Sequence, residues 1–228
     1  MNKSTLINEL RNQSISIGIM ASDWLNFRDT LNILLQNNLK LLHFDIADGQ
    51  FSPMFTFGAT VIKPFNSRFL KDVHLMVKDQ FTVTKECAKL GANIITLQVE
   101  TDENLTNIYQ WLNKEHPNIL CGISICPNTD LELITPYLSQ VDVIQVLTLD
   151  PRTKAKAETG FVIDRIQLLL DKLGKKRTNK LISVDGSMNL ELAEELFKLD
   201  IDWVVSGSAI FSQQDINSTL IQWKKHLT

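Results

Sequence analysis

The chain has 228 residues, of which 44% are hydrophobic, and its formal net charge at pH 7 is -3. This length supports one large buried core or two small ones, while the slightly acidic charge provides no basic surface for nucleic acid. We therefore expect a globular protein that does not bind nucleic acid.

The N-terminal segment predicts no targeting or membrane function. Residues 1–14 contain Lys3 but no apolar stretch of the kind found in signal peptides. No run approaches the roughly 18 apolar residues of a membrane span, so we expect a soluble, cytoplasmic protein without a membrane partner. Cys87, Cys121 and Cys126 match no zinc pattern or disulfide framework and are predicted to be buried thiols.

Predicted strands and helices alternate along the chain after a short helical extension over residues 1–14. Eight apolar runs have strand length: ISIGIM from Ile15, LLHFDI from Leu41, DVHLMV from Asp72, NIITLQV from Asn93, ILCGISI from Ile119, DVIQVLT from Asp142, LISVDG from Leu181 and DWVVSGS from Asp202. The segments with helical spacing between and after them are WLNFRDTLNILLQNN, FTVTKECAKLG, ENLTNIYQWLNKE, FVIDRIQLLLDKLG, LELAEELFKL and NSTLIQWKKHL.

This alternation indicates an α/β protein with a parallel sheet that is covered on both faces. Right-handed crossovers leave two architectures, an open doubly wound sheet and a closed (β/α)8 barrel. Eight repeats in a chain of this length favour the barrel, and no Pro- or Ser-rich linker divides it. We predict a single-domain (β/α)8 TIM barrel over residues 15–228, preceded by the extension 1–14.

Four polar side chains lie near the C-terminal ends of predicted strands: His43, Asp45, His74 and Asp185. In a parallel barrel these ends meet at one face, and residues two apart on a strand point the same way. Two imidazoles and two carboxylates suit Zn²⁺, Fe²⁺, Co²⁺ or Mn²⁺. A lone histidine on an apolar run is usually a core residue, but four equivalent positions favour a metal site.

Five stretches at this predicted face carry a resemblance to a known family. They are HFDIADGQFSP from His43, TFG from Thr56, DVHLMV from Asp72, VDGSM from Val184 and SGSAIF from Ser206. In their order and spacing they resemble the ribulose-phosphate 3-epimerases, with weaker similarity from Ser16 to Phe211.

The resemblance implies a barrel of the ribulose-phosphate-binding type that epimerises a small-molecule ketose phosphate. It implies one divalent metal ion per chain, Zn²⁺ being the first choice, bound by His43, Asp45, His74 and Asp185. It further implies that Asp45 and Asp185 form the acid–base pair, with D-ribulose 5-phosphate and D-xylulose 5-phosphate as the first substrate pair. Inverting a carbon beside a carbonyl requires proton transfer on both faces, which agrees with two carboxylates on separate strands.

The resemblance also implies substrate-binding residues and shows several departures from the family pattern. Met76 matches a methionine that lines the family's pocket, and core packing is the alternative role for it and for Met20. Two further family methionines are replaced by Ala47 and Leu147, and a serine on the first strand is replaced by Gly18. A contact to a substrate oxygen is therefore expected to be missing.

Phosphate binding in such barrels uses backbone amides in the loops after the later strands. Gly186, Ser187, Gly207 and Ser208 match that role, with tight turns as the alternative. The loop after the sixth strand reads DPRTKAKAETGF from Asp150 and lacks the family's glycines. Its basic residues either bind phosphate through their charges or form a solvated loop: Arg152, Lys154 and Lys156.

Two other functions stay open at this point. The altered loop and pocket also suit a hexulose 6-phosphate such as allulose 6-phosphate, or a non-catalytic sugar-phosphate-binding barrel. The presence of both Asp45 and Asp185 favours the enzyme over the binding protein. A homo-oligomer is expected, with Trp24, Phe27 and the segment from Phe51 to Phe57 as its apolar contact surface, unless these aromatics pack within the monomer.

Overall fold

Eight parallel strands close into a barrel in this computed structural model, which describes residues 1–65 and 68–227. The strands are β1 (Ile15–Gly18), β2 (Leu41–Ala47), β3 (Leu70–Met76), β4 (Ile94–Gln98), β5 (Leu120–Ile125), β6 (Val143–Leu147), β7 (Leu181–Asp185) and β8 (Trp203–Ser206). Each strand pairs with the next, and β8 pairs with β1 through Ser16 and Val205. This closure confirms the predicted (β/α)8 barrel and excludes the open doubly wound sheet.

Helices alternate with these strands, and each of the six helical segments predicted from the sequence overlaps one. The helices are α1 (Lys3–Leu10), α2 (Phe27–Gln36), α3 (Gln80–Lys89), α4 (Leu105–Glu115), α5 (Thr159–Leu173), α6 (Leu190–Phe197), α7 (Ser208–Phe211) and α8 (Ile216–His226). Between β5 and β6 the chain forms a 3₁₀ helix, Leu131–Tyr137, that contains Pro136. Within the described residues, no helix combines the length and apolar character needed to cross a membrane. The three cysteines are free and buried, as predicted.

Helix α1 covers the N-terminal end of the barrel, which we call the floor. Leu6 and Leu10 of α1 are fully buried against a layer of inward-facing side chains: Leu41, Leu70, Ile94, Leu120, Val143, Leu181, Trp203 and Val205. Lys3 Nζ donates a hydrogen bond to Asp142 Oδ2 at 2.8 Å and ties α1 to the start of β6. These contacts support our proposal that residues 1–14 extend the barrel and do not form a separate unit.

Above this apolar floor the barrel interior becomes polar. Inward positions recur every second residue, so the next inward residues on β2 to β7 are His43, Asp72, Thr96, Gly122, Gln145 and Ser183. The inward residues that follow them on the same strands are Asp45, His74, Gln98, Ser124, Leu147 and Asp185. TIM-barrel interiors are ordinarily dominated by Val, Ile and Leu. The mostly polar inward residues near the C-terminal ends of these strands therefore indicate a role other than core packing.

Candidate active site

Four donor atoms converge where β2, β3 and β7 end. His43 Nε2 and His74 Nδ1 each lie 3.3 Å from Asp45 Oδ1 and 3.7 Å from Asp185 Oδ2. All four ligand atoms are within 4.8 Å of one another. Strand β7 is not a neighbour of β2 or β3 in the sheet, so barrel closure brings Asp185 to the other three. The structure thus unites the four residues that the sequence identified as candidate metal ligands.

The spacing of these atoms fits a metal ion. Four ligands at about 2.0–2.1 Å in a tetrahedron are separated from one another by ~3.3 Å. The nitrogen–oxygen distances of 3.3 and 3.7 Å are close to that value. Two nitrogens and two carboxylate oxygens are also a donor set that Zn²⁺, Fe²⁺, Co²⁺ and Mn²⁺ accept. The cluster could therefore hold one such ion once its most widely separated donor atoms, which lie within 4.8 Å of each other, draw closer.

Asp72 orients the His43 ring by contacting the nitrogen that faces away from the cluster. Asp72 Oδ2 lies 2.9 Å from His43 Nδ1 and accepts a hydrogen bond from Ser16 Oγ at 2.8 Å. An ionised carboxylate only accepts hydrogen bonds, so Nδ1 carries the hydrogen and Nε2 is directed at the cluster. Pairing of this kind, between a carboxylate and the distal nitrogen of a ligating histidine, fixes the ring in protein metal sites.

The buried charges of the cluster influence one another strongly. Although burial favours a neutral imidazole, the charges of Asp72 and Asp45 raise the pKa of His43 well above its ordinary value. Burial alone would raise the pKa of Asp45. The charges of His43 and His74, together with their hydrogen bonds to Asp45, outweigh burial, so the pKa of Asp45 is lowered. A divalent cation bound at the cluster would instead require His43 as a neutral imidazole.

Asp185 differs from Asp45 in both its pKa and its contacts. Burial raises the pKa of Asp185 to about 6, with the negative charge of Asp45 acting in the same direction and His43 opposing it. Gln145 Nε2 donates a hydrogen bond to Asp185 Oδ2 at 3.0 Å. Asp45 is contacted instead by the two histidines through its Oδ1, and Thr56 Oγ1 donates to its carbonyl oxygen at 2.7 Å. The two carboxyl groups therefore sit in distinct environments.

A cavity of about 190 Å³ opens directly onto the two aspartates. Asp45 and Asp185 line it together with the four residues predicted to bind phosphate: Gly186, Ser187, Gly207 and Ser208. Met20 and Gly18 line it from the β1 side. The candidate acid–base pair and the candidate phosphate loops thus share one cavity.

Glycine is required at two positions of this cavity wall. Gly186 has φ +102°, a conformation that residues with a side chain rarely adopt. A Cβ on Gly207 would lie 2.5 Å from the carbonyl oxygen of Gly18. Ser187 follows Gly186 with φ +40°. The close approach of these loops explains the glycines sterically and leaves only backbone at these two positions of the cavity wall.

The loop after β6 folds back on itself, and its basic residues do not line that cavity. Leu149 forms an antiparallel bridge with Lys156, and the Asp150 amide donates to the Ala155 carbonyl at 2.9 Å. Arg152 is paired with Asp150 through two hydrogen bonds, of 3.0 and 2.8 Å. Its guanidinium lines a second cavity, of about 720 Å³, with residues that include Phe51, Glu100 and Glu103. Lys154, with φ +61°, is exposed.

The methionine positions at the rim differ from one another in the structure. Met76 is buried at the end of β3, where it pairs in register with Ala47. Leu147 is likewise buried and pairs in register with Asp185. Met20 is half-buried and contacts the cavity directly. Met20 therefore borders the cavity, while a substrate contact by Met76 stays a proposal.

Reasoning from the sequence missed three residues that support the cluster: Asp72, Gln145 and Thr56. A signal existed for two of them, since Asp72 lies two residues before His74 and Gln145 interrupts an apolar strand. The period of two places Asp72 on the inward face. Their partners are 29 and 40 residues away in the chain, so no local pattern identifies the contacts.

Comparison with known proteins agrees with this geometry. The sequence model of the Ribulose-phosphate 3 epimerase family matches residues 14–211. A Salmonella typhimurium protein named "Putative epimerase LsrE" is 39% identical over 222 residues, which cover 94% of this chain and 87% of that protein. The ribulose-phosphate 3-epimerase of Chlamydia muridarum is 28% identical over 221 residues, covering 93% and 96%.

Solved structures with little sequence similarity share the fold. KGPDC from Streptococcus mutans has a TM-score of 0.66 at 10% identity and covers 94% of this chain and 97% of its own. The 3-hexulose-6-phosphate synthase from Salmonella typhimurium has a TM-score of 0.64 at 16% identity, with coverage of 94% and 98%. At such identities the likeness concerns the barrel alone.

Proposed function

Because this chain belongs to the ribulose-phosphate 3-epimerase family, we propose that it inverts C3 of a ketose phosphate and that D-ribulose 5-phosphate and D-xylulose 5-phosphate are its substrate pair. The family and the named epimerases make the chain an isomerase. One observation carries the proposal for this chain: Asp45 and Asp185 border the same cavity as the glycine loops after β7 and β8.

The two aspartates have the properties that C3 inversion needs. One carboxylate removes the C3 proton from one face, and the other, as a carboxylic acid, returns a proton to the opposite face. The pair must therefore hold one proton between them at the start. The pKa of Asp45 is lowered, whereas burial raises that of Asp185 to about 6. Asp185 is thus the more basic of the two, and we propose it as the group that holds this shared proton first. Turnover in the reverse direction exchanges the two roles.

A divalent metal ion is proposed as the cofactor, held by His43, Asp45, His74 and Asp185. Zn²⁺ is the first choice, with Fe²⁺, Co²⁺ and Mn²⁺ as alternatives. Such an ion would supply positive charge that stabilises the negative charge developing on the substrate when the C3 proton leaves. The protein's own part includes holding His43 in place through its buried contact with Asp72.

We propose the loops at Gly186–Ser187 and Gly207–Ser208 as the phosphate site. Their position beside the aspartates supports this assignment. We also propose that Arg152, Lys154 and Lys156 attract the phosphate through their charges. Because Arg152 is paired with Asp150, the two lysines are the stronger contributors to that long-range attraction.

The decisive experiment follows ketose phosphates by NMR in D₂O with protein reconstituted with each metal. D-ribulose 5-phosphate, D-xylulose 5-phosphate and allulose 6-phosphate are incubated separately. We expect C3–H to be replaced by deuterium while the C3 epimer forms. Conversion of allulose 6-phosphate alone would move the substrate to the hexulose class. Neither exchange nor conversion with any of them, in protein that holds metal, would identify a non-catalytic sugar-phosphate-binding barrel.

A homo-oligomer and a cytoplasmic location are part of the proposal. Exposed apolar side chains in the segments after β1 and β2 support self-association, namely Trp24, Leu25, Phe55 and Phe57, with Leu25 96% and Phe55 80% exposed. Trp24 stacks on Phe27 and contacts Phe57 edge-on, at centroid distances of 4.6 and 5.0 Å. Light scattering of the wild type and of Leu25→Asp tests whether this surface joins two copies.

A further inference from the structure

Gln145 contacts the oxygen of Asp185 that faces the donor cluster. Its Nε2 donates to Asp185 Oδ2 at 3.0 Å, and its side chain is fully buried. The same Oδ2 lies 3.7 Å from both His43 Nε2 and His74 Nδ1. One carboxylate oxygen therefore makes all three of these contacts, and Oδ1 takes part in none of them.

This contact restricts a rotation that the Asp185 carboxylate would otherwise be free to make. The terminal torsion of an aspartate has a broad, roughly two-fold profile, so its two oxygens exchange places easily. Gln145 lies on β6, whose Leu147 is the register partner of Asp185 and is itself apolar. An amide that reaches Oδ2 from the neighbouring strand therefore favours one of the two carboxylate orientations.

Packing alone gives no reason for an amide at this position. Gln145 Oε1 has no hydrogen-bond partner, and neither do the Oγ atoms of its register neighbours Ser124 and Ser183. A leucine or methionine would fill the same volume without leaving a polar atom unpaired, which is costly in a buried site. The unpaired oxygens are suited to ordered water, while the amide nitrogen is directed at Asp185.

We propose that Gln145 is a positioning residue that holds Asp185 with Oδ2 toward the metal-binding donors and Oδ1 toward C3 of the substrate. The part that concerns C3 rests on the proposed epimerase function. The part that concerns the donors rests on geometry alone. Gln145 thereby serves the proton transfer on one face of the substrate, while Asp45, held by the two histidines, serves the other.

The first test measures metal affinity and requires no turnover. Gln145→Met retains all four donors but removes the amide, and Gln98→Met makes the same change at a buried glutamine whose Nε2 contacts Cys126 Sγ instead. Competition with a chromogenic chelator, with Zn²⁺ and Co²⁺, gives the affinities. We expect about tenfold weaker binding for Gln145→Met and binding within about twofold of wild type for Gln98→Met. Equal affinities in the two variants would overturn the proposal.

The second test compares the two faces of the substrate. Each C3 epimer is incubated in D₂O with saturating metal, and C3–H exchange is measured separately from conversion. In Gln145→Met, we expect the epimer deprotonated by Asp45 to exchange at nearly the wild-type rate. The epimer deprotonated by Asp185 should exchange about 10- to 100-fold more slowly. A general structural defect would slow exchange of both epimers by the same factor, and that result would overturn the proposal.

Two precautions keep the outcomes distinct. Gln145→Leu, a second apolar replacement, stands in if Gln145→Met fails to show the wild-type circular dichroism spectrum and cooperative melting. Wild-type protein that exchanges C3–H in neither epimer would contradict the proposed function. The affinity comparison would then still decide whether Gln145 orients Asp185 toward the donors.

Discussion

At the scale of single residues, Asp72 determines which nitrogen His43 directs at the cluster. Asp72→Asn replaces an acceptor by an amide that can also donate, so the imidazole is no longer confined to one tautomer. We expect metal affinity to fall by about 10- to 100-fold with the fold unchanged. Chelator competition on the purified variant provides the measurement.

Ser16→Ala is the matched control for that substitution. It removes the other hydrogen bond to Asp72 Oδ2 but leaves the contact with His43 intact. Its effect on affinity should be several-fold smaller. If Ser16→Ala and Asp72→Asn weaken metal binding equally, Asp72 acts through general packing and not through the imidazole tautomer.

The two aspartates allow a direct test of the proton-transfer scheme. Asp45→Asn and Asp185→Asn each remove one proton carrier while retaining an oxygen at the same place. We expect conversion to fall at least about 10³-fold in either variant, because each face of C3 needs its own acid or base. Turnover is measured with metal content determined on the same samples. Activity near wild type in a variant that retains its metal would refute the two-aspartate scheme.

At the scale of secondary-structure elements, helix α1 contributes stability without belonging to the site. Leu10 is fully buried on the floor, at the opposite end of the barrel from Asp45 and Asp185. Leu10→Ala should lower the free energy of unfolding by about 2–5 kcal/mol, since it leaves a cavity in a packed layer. Urea denaturation gives this value, and kcat at 25 °C should remain at the wild-type level.

Leu168→Ala makes the same chemical change on α5, where the side chain is 61% exposed. The expected effect of this control on the free energy of unfolding is within about 0.5 kcal/mol. Equal stability of the two variants would show that α1 does not contribute to the core, and a large fall in kcat for Leu10→Ala would connect the floor to the site.

The loop after β6 gives the second prediction at this scale. Replacing Arg152, Lys154 and Lys156 by Ala should raise KM for the ketose phosphate about three- to tenfold with a smaller change in kcat, as expected when uniform binding is lost. The KM of the wild type should also rise with ionic strength, because exposed charges are screened by salt. Steady-state kinetics at two salt concentrations checks both statements.

A charge-matched control separates this loop from overall charge. Lys114, Lys175 and Lys198 lie at or just after the C-terminal ends of α4, α5 and α6, on the floor side. Their triple replacement by Ala changes the net charge equally and should leave KM unaltered. An unchanged KM for the loop variant as well would leave the glycine loops as the whole phosphate site.

The elements themselves were predictable because each carries its own pattern. Apolar runs of strand length and helical spacing identified every strand and the main helices, and residues near strand ends identified His43, Asp45, His74 and Asp185. The fold of the loop after β6 was not predictable. It depends on Asp150 binding both Arg152 and the backbone nearby, and no periodicity marks such a contact. Gln145 and Asp72 were missed because their partners are fixed by strand register.

At the scale of the whole molecule, metal binding should stabilise the folded barrel. The four donors come from three strands and are together only in the native state, so an ion that binds them favours folding. With metal at about 100 times Kd the gain is about 2.7 kcal/mol, or about 5–10 °C in Tm for a chain of this length. Calorimetry with and without a chelator measures the difference.

His74→Ala is the control for this prediction. It should lose most of the metal by elemental analysis, and its Tm should not change when chelator is added. A wild-type Tm that is insensitive to chelator, in protein shown to contain metal beforehand, would contradict the link between the cluster and global stability.

The closed floor limits the route by which substrate enters and product leaves the barrel. Leu6, Leu10 and Trp203 are fully buried, so the described residues leave no passage along the barrel axis at that end. Substrate must therefore enter through the same opening by which product leaves. Because the two epimers compete for this opening, each should be a competitive inhibitor of the reaction that consumes the other. Net flux then depends on how quickly the cell removes the product epimer.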